Sequence, residues 1–564
     1  MKRFIAEHNK RRSVSLDGLW RFITDKKDEG ISLGYPAGLP DAAVSTYVPS
    51  VFASTPTLLG YEGVCWYERE VYIEQGRIRL HFGAVMTDAI VYLDGEEIGK
   101  HYGGFCEFEF LLNIKEAGNH RLTVRVDNRF DAHSIPQEVV DWYHHGGITR
   151  SVTLEYLGGI SILWNHMHYE LSEDLSEASV SFEAELMNAG GEAKTDVLSI
   201  SLDGEKLASL SVSLAAGERR IVRTESVKVK NIRLWDIGAP ALYSLRAETE
   251  TDDLYDRVGF RKIVCEGYKI LLNNKPLMIK GINRHEEHPD LGFAFPESMM
   301  GRDVELIEDL GINSVRGSHY PNARPFLDLL DERGISFWSE IPFWGIGFTA
   351  EAVADPIVVA RGEEMMRDMV HYYYNHPSIL IFGMHNEMPV SAESTLSLTK
   401  KLYAYLKEKG GNRLVTYATC YPLEDICLAY TDLYCINDYH GWYRYDLEGT
   451  ADYVKELHAH IEAQGLPARP MIMSEFGAAA IYGKRDFDTD IWSENYQAKL
   501  LDYCIRLFFG DEKFAGCYIW HFADARTSFK NLNRARGYNN KGVLNEHRKP
   551  KLAYDAVKKV YHEL

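Results

Sequence analysis

Ile379-Leu380-Ile381-Phe382-Gly383-Met384 is a short apolar run that gives way at once to His385-Asn386-Glu387. A run this short, bounded by polar groups, reads as a strand buried on both faces. Met471-Ile472-Met473-Ser474-Glu475, followed by Phe476-Gly477, repeats the pattern. Working outward, six more such runs appear at Leu277–Ile282, Asn313–Gly317, Ile335–Glu340, Leu414–Ala418, Leu433–Ile436 and Cys517–Phe522. Helix-like stretches lie between them, among them Arg302–Leu310, Arg324–Glu332, Val358–Tyr374, Leu396–Lys409, Ala451–Gln464 and Ile491–Phe509. Eight strands alternating with helices over about 300 residues predict a (β/α)8 TIM barrel, here over residues 264–564.

Upstream the period changes. Residues 1–160 carry short alternating runs such as Val64–Ile73, Arg77–Phe82 and Arg121–Val126, punctuated by turns such as Leu93-Asp94-Gly95. This predicts a jelly roll. Residues 161–263 hold further β runs, Ser179–Leu186, Thr195–Leu202 and Arg219–Val229, over a length that suits one immunoglobulin-like sandwich. The expected fold is therefore two β-sandwich domains followed by a barrel. Three units agree with a length of 564 residues, beyond the about 250–300 at which one core stops growing.

Composition excludes several classes. A net charge of −20 repels nucleic-acid phosphates and anionic lipid, so neither partner is expected. No run of 18 apolar residues predicts a membrane span. The first twenty residues have charges but no apolar signal core. The eight cysteines form no CxxC pair, and several lie inside apolar runs; buried free thiols and a cytoplasmic location are the expectation. No Gly-x-Ser-x-Gly elbow and no phosphate loop occur. His144-His145 are adjacent, and His285 and His288 lie three apart in a Pro-flanked loop, so a sugar-binding or core role is expected of them rather than a metal site. No cofactor is expected.

Active sites of TIM barrels sit where strands end. The ends here deliver His285 after strand one, His319 after strand two, Glu340 on strand three, Asn386-Glu387 after strand four, Asn437 and Tyr439 after strand six, Glu475 on strand seven, and Trp520 on strand eight. One strand-end Glu alone is more often an ion-pair residue. Glu387 and Glu475, on strands four and seven across one barrel mouth, point to catalysis: a retaining glycosidase needs two carboxyls about 5–5.5 Å apart, one protonated and one ionised.

Further motifs carry a resemblance. Leu16-Asp17-Gly18-Leu19-Trp20, Cys65–Val71 (CWYEREV), Gly146–Arg150 (GGITR), Gly281–Glu287 (GINRHEE), Arg316–Pro321 (RGSHYP), Asn386-Glu387 and Ser474–Gly477 (SEFG) are similar in order and spacing to glycoside hydrolase family 2, in particular its β-glucuronidases. The resemblance spans nearly the whole chain. It implies a retaining exo-β-glycosidase acting on β-D-glucuronides, with Glu387 as acid/base and Glu475 as nucleophile. It implies substrate contacts from Asp141, His285, His319, Asn386, Asn437, Tyr439, Tyr443 and Trp520. It also implies that Asn539 and Lys541, in Asn539-Asn540-Lys541, grip the uronate carboxylate, and that the chain can form homo-oligomers.

The sequence departs from that pattern in three places. Position 535 is Ala where an Arg is usual, with Arg534 and Arg536 flanking it. Met384-His385 replace the usual Trp-Ser. Pro342–Arg361 is short for a lid, which implies an open entrance. Rival readings are a β-galacturonidase or β-galactosidase, and a non-catalytic carbohydrate-binding protein on the same scaffold.

Overall fold

Ile78, Leu80 and Phe82 are buried, while Arg79 and His81 between them reach the opposite face. This period of two gives the first domain its layers. The computed structural model describes residues 3–444, 446–528 and 534–564. Its first sandwich has a six-stranded antiparallel sheet, in spatial order Val44–Val48, Gly18–Asp25, Val64–Ile73, Gly118–Asp127, Asp88–Leu93 and Glu96–Tyr102. It packs on a four-stranded sheet of Ser13–Ser15, Val152–Leu157, Gly76–Phe82 and Phe108–Ile114. Trp20, Tyr67, Phe82 and Val124 lie in the core between them.

The second sandwich follows the same rule. Along Glu177–Asn188, the residues Ala178, Val180, Phe182, Ala184 and Leu186 point inward and share a core with Ile200 and Leu245 of the facing sheet and with Phe260. Arg11 ties this domain to the first, donating to Glu155 at 2.7 Å and to Asp252 at 3.1 Å.

The barrel closes through eight parallel strands: β1 (Ile279–Arg284), β2 (Ser314–Gly317), β3 (Ser336–Glu340), β4 (Ile379–Asn386), β5 (Leu414–Thr419), β6 (Tyr434–Asn437), β7 (Met471–Glu475) and β8 (Phe514–Ile519). Pairing of Ile282 in β1 with Ile519 in β8 completes the ring. Every residue of β2 to β8 is buried, as expected of strands covered on both faces. A three-stranded meander from Ile263 to Leu277 plugs the floor, where Ile270 and Leu272 join Trp338, Leu414 and Tyr518.

Three strands differ by two residues or more from their sequence reading, the first being β1, which is shifted from Leu277–Ile282 to Ile279–Arg284. β8 lies three residues earlier than the apolar run Cys517–Phe522 suggests. Beyond Ile519 the chain leaves the ladder: Trp520 N donates to Phe476 O, and His521 N to Lys541 O. β4 runs two residues further than read, through Asn386, because Asn386 N finds an acceptor in Phe343 O at 2.8 Å.

The connection from Asn128 to Gly146 in the first domain reaches over the barrel mouth. Arg150 fixes its exit, donating to Phe105 O at 2.7 Å, Pro321 O at 3.0 Å and Glu286 at 3.2 Å. All eight cysteines are free and six are buried. Among the described residues no helix is long and apolar enough to cross a membrane.

Candidate active site

The carboxyl end of β2 presents Arg316, whose guanidinium is fully buried against the Trp338 ring, 4.6 Å from its centroid. A buried cation must be paired, and Arg316 is paired with three side chains besides Asn283, whose Oδ1 accepts from it at 3.2 Å. It donates to Glu475 Oε1 at 2.8 Å, to both Glu340 oxygens at 2.8 and 3.0 Å, and to Asn386 Oδ1 at 2.8 Å. Tyr439 donates to the other Glu475 oxygen at 2.8 Å. His319 Nδ1 lies 2.9 Å from Glu340.

Glu387 follows β4 in the left-handed backbone region, with φ +50°. Such a conformation costs on the order of 1–3 kcal/mol and persists where its surroundings dictate it. Here Glu387 N donates to Ala418 O at 2.9 Å, and Gly345 lies so close that a Cβ there would come 2.1 Å from the Glu387 carbonyl oxygen. The Glu387 carboxyl accepts from Asn437 Nδ2 at 3.0 Å; Asn437 is in turn held by Ser474 Oγ at 2.7 Å.

Glu387 and Glu475 line one cavity of about 430 Å³. Burial, and then the charge of Glu475, push the Glu387 carboxyl up to about 8. Burial also raises Glu475, but Arg316 and the Tyr439 hydroxyl oppose that shift by stabilising its ionised form. The two carboxyls thus sit in unlike environments, and the Glu475 charge itself keeps a proton on Glu387.

Lys541 stands at another wall of the same cavity. Its ammonium donates to Tyr443 Oη at 2.7 Å and lies 4.6 Å from that ring's centroid. Burial lowers its pKa. The Tyr443 phenol is held below its usual range by Lys541 and Arg534, against the burial that would raise it. Among the described residues no carboxylate forms an ion pair with Lys541. Arg534 pairs with Asp141, which also accepts from Asn539 Nδ2 at 3.0 Å, and donates to Tyr443 Oη at 2.6 Å. Arg536 turns away to Glu546 at 2.8 Å. Of the two arginines flanking Ala535, Arg534 is the one at the cavity.

Asp141, His319, Asn437, Tyr439, Tyr443 and Trp520 join Glu387, Glu475 and Lys541 on the cavity wall. His285, Asn386 and Asn539 stand one layer back. His285 Nδ1 is 3.2 Å from Tyr320 Oη, and its ring packs against Trp520; burial, then His319, lower its pKa to about 3. Asn386 Oδ1 accepts from both Arg316 and Asn437, while its buried Nδ2 has no partner among the described residues. Asn539 is engaged with Asp141.

Sequence reasoning misses Arg316, although it opens the motif Arg316–Pro321, because a lone Arg on a strand reads as an ion-pair residue. It also left out Trp344, Ile346 and Arg444 of the cavity wall. Trp344 had a signal, an aromatic four residues past the end of β3; Arg444 had none.

Residues 263–564 match the family described as glycosyl hydrolases family 2, TIM barrel domain; residues 13–157 match its sugar binding domain, and residues 160–261 a further family-2 domain. A β-glucuronidase from Streptococcus agalactiae is 28% identical, over 97% of this chain and 96% of that protein. A putative β-glucuronidase from Formosa agariphila is also 28% identical over 87% of this chain, which spans 63% of its length. Among solved structures, a β-galacturonidase from Eisenbergiella tayi bound to galacturonate superposes with a TM-score of 0.93 at 35% identity, covering 100% of this chain and 99% of the other. With three family-2 domains in order and a barrel mouth built around two carboxyls, the chain belongs to glycosyl hydrolases family 2 and is a glycoside hydrolase.

Proposed function

We propose that the protein is a retaining exo-β-glycosidase that hydrolyses β-D-glucuronides. The observation that carries the sugar assignment is the Lys541 ammonium, buried in the cavity that the two carboxyls line, with a phenol rather than a carboxylate at its head. A charge so placed is completed by an anionic ligand, and a charge-assisted bond to a uronate carboxylate is about twice as strong as a neutral one. A neutral hexose would leave it unpaired, which is costly. The S. agalactiae and F. agariphila relatives support the same reading.

The chemistry takes two steps. Glu387, which burial keeps protonated at neutral pH, gives its proton to the leaving oxygen while Glu475 attacks the anomeric carbon. The glycosidic C–O bond breaks and a glycosyl ester forms on Glu475. Glu387, now ionised, takes a proton from water, whose oxygen displaces Glu475 with net retention. Arg316 and Tyr439 disperse the Glu475 charge before attack and after release. The unpartnered Asn386 Nδ2 is suited to a sugar hydroxyl beside the nucleophile. Asp141, held by Arg534 and Asn539, offers its carboxylate to the sugar hydroxyls. The eight free thiols suit a reducing, cytoplasmic compartment.

A second reading, a β-D-galacturonide substrate, is favoured by the 35% identity to the E. tayi enzyme. It keeps the carboxylate and changes only the 4-hydroxyl. The test is a parallel assay of p-nitrophenyl β-D-glucuronide, β-D-galacturonide and β-D-galactoside with the native protein and Lys541→Ala. Glucuronide hydrolysis that Lys541→Ala selectively abolishes is expected. Preference for galactoside, or indifference to Lys541→Ala, overturns the uronide reading.

A further inference from the structure

Cys420 and Tyr421 follow β5, next to the Ala418 carbonyl that anchors Glu387 N. Both side chains line the cavity with Glu387, whose ionised form acts on each of them. A leaving group protonated by Glu387 must pass this side of the cavity. Three features converge there that hydrolysis of the glycon does not use. Tyr421 is 46% exposed and Ile346, from the loop after β3, is 59% exposed, and both line the cavity. The third is Arg444, an exposed cation on the cavity wall from the loop after β6.

Arg444 differs from the other cations of the site. Arg316 is spent on Glu340 and Glu475, Arg534 on Asp141, and Lys541 is held by Tyr443. Asp438, the nearby acid on the wall, is paired with His440 at 2.8 Å. The Arg444 guanidinium has no ion pair or hydrogen bond among the described residues, yet its charge reaches the Cys420 thiol and the Tyr421 phenol. A planar guanidinium beside exposed apolar surface matches a carboxylate or sulfate carried on a flat ring. Charge balance points the same way: Glu475 repels an anionic leaving group, and a cation on the departure side offsets that repulsion.

We propose that Arg444, Tyr421 and Ile346 form a leaving-group subsite selective for an acidic aglycone. This rests on the glycosidase reading above and adds the class of group on the other side of the scissile bond. The ring lies between Tyr421 and Ile346, and its anionic substituent meets Arg444.

The experiment compares kcat/KM for 3-carboxyphenyl and 3-carbamoylphenyl β-D-glucuronide, a charged and a neutral leaving group of one shape. A second pair, glucuronyl disaccharides with an acidic or a neutral reducing sugar, separates a saccharide source of the acid from an aromatic one. The native enzyme is expected to favour the acid about fivefold, as befits an exposed charge pair. The ratio should fall below one in Arg444→Ala, recover in part in Arg444→Lys, and collapse at high salt. Circular dichroism confirms that each variant is folded. Equal acid-to-amide ratios in native enzyme and Arg444→Ala overturn the subsite while leaving the glycon reading intact. If the glucuronides are inert, the same pairs built on galacturonic acid decide the subsite; inertness on both overturns the glycon reading and the subsite together.

Discussion

Arg316 Nη1 lies 2.8 Å from Glu475 Oε1, while the same guanidinium closes on Glu340 with two bonds. One buried cation thus serves two carboxylates, and its loss leaves both uncompensated. Arg316→Ala should lower kcat/KM by more than about 100-fold, the scale for breaking a buried charge pair. It should also move the acid limb of the pH–rate profile upward, since Glu475 would hold its proton to higher pH. Steady-state kinetics from pH 4 to 9 measure both; an unmoved acid limb would count against Arg316 as the group that keeps Glu475 ionised.

Glu387 titrates at about 8. As the general acid it must be protonated, so kcat/KM should fall as pH rises through about 8. Glu387→Gln should remove that limb. The variant should also lose far less kcat/KM on a p-nitrophenyl glycoside than on an alkyl glycoside, because a good leaving group needs little protonation. Similar losses on both would sink the assignment.

The same shift bears on stability. A carboxyl raised from 4.5 to about 8 by folding favours the native state when protonated, and that contribution is lost as pH rises from about 4.5 through 8. Glu387→Gln should therefore raise the melting temperature at pH 8 and leave it nearly unaltered at pH 4.5. Melts at the two pH values check this; an equal shift at both would mean that the carboxyl is not raised in the folded protein.

Tyr443 Oη is the hydrogen-bond partner of Lys541 and also accepts from Arg534. Tyr443→Phe removes one acceptor shared by two cations. KM for the uronide should rise about tenfold with kcat little altered, consistent with loss of ground-state positioning. A fall in kcat at constant KM would instead place the phenol in the chemistry.

How much of this was legible beforehand depends on the physics behind each signal. β4 and β7 were plain, because parallel strands buried on both faces read as unbroken apolar runs with a polar stop. β8 was misplaced by three residues because Trp520 and Phe522 are as apolar as strand residues, although their amides bond Phe476 and Asn283 outside the ladder. Glu387 and Glu475 could be placed at the mouth because strand ends define it, and both line the cavity there. The choice between Arg534 and Arg536 was closed to sequence: they lie two residues apart, and a left-handed Arg536, at φ +63°, turns its side chain to Glu546. Arg444 was invisible for a different reason, since an exposed Arg in a loop acquires meaning only from the charges it lacks.

Asp141 comes from the first domain and meets Arg534 and Asn539 from the far end of the chain. The pocket is therefore closed by pieces almost four hundred residues apart, and neither piece can be dispensed with. A ribosome must pass residue 541 before the first glycoside can be bound, so synthesis itself withholds the activity until both pieces have been made. For anyone recombining such enzymes, the barrel is not an exchangeable cassette: segments 128–146 and 534–541 must be inherited together, or the chimera will fold and do nothing.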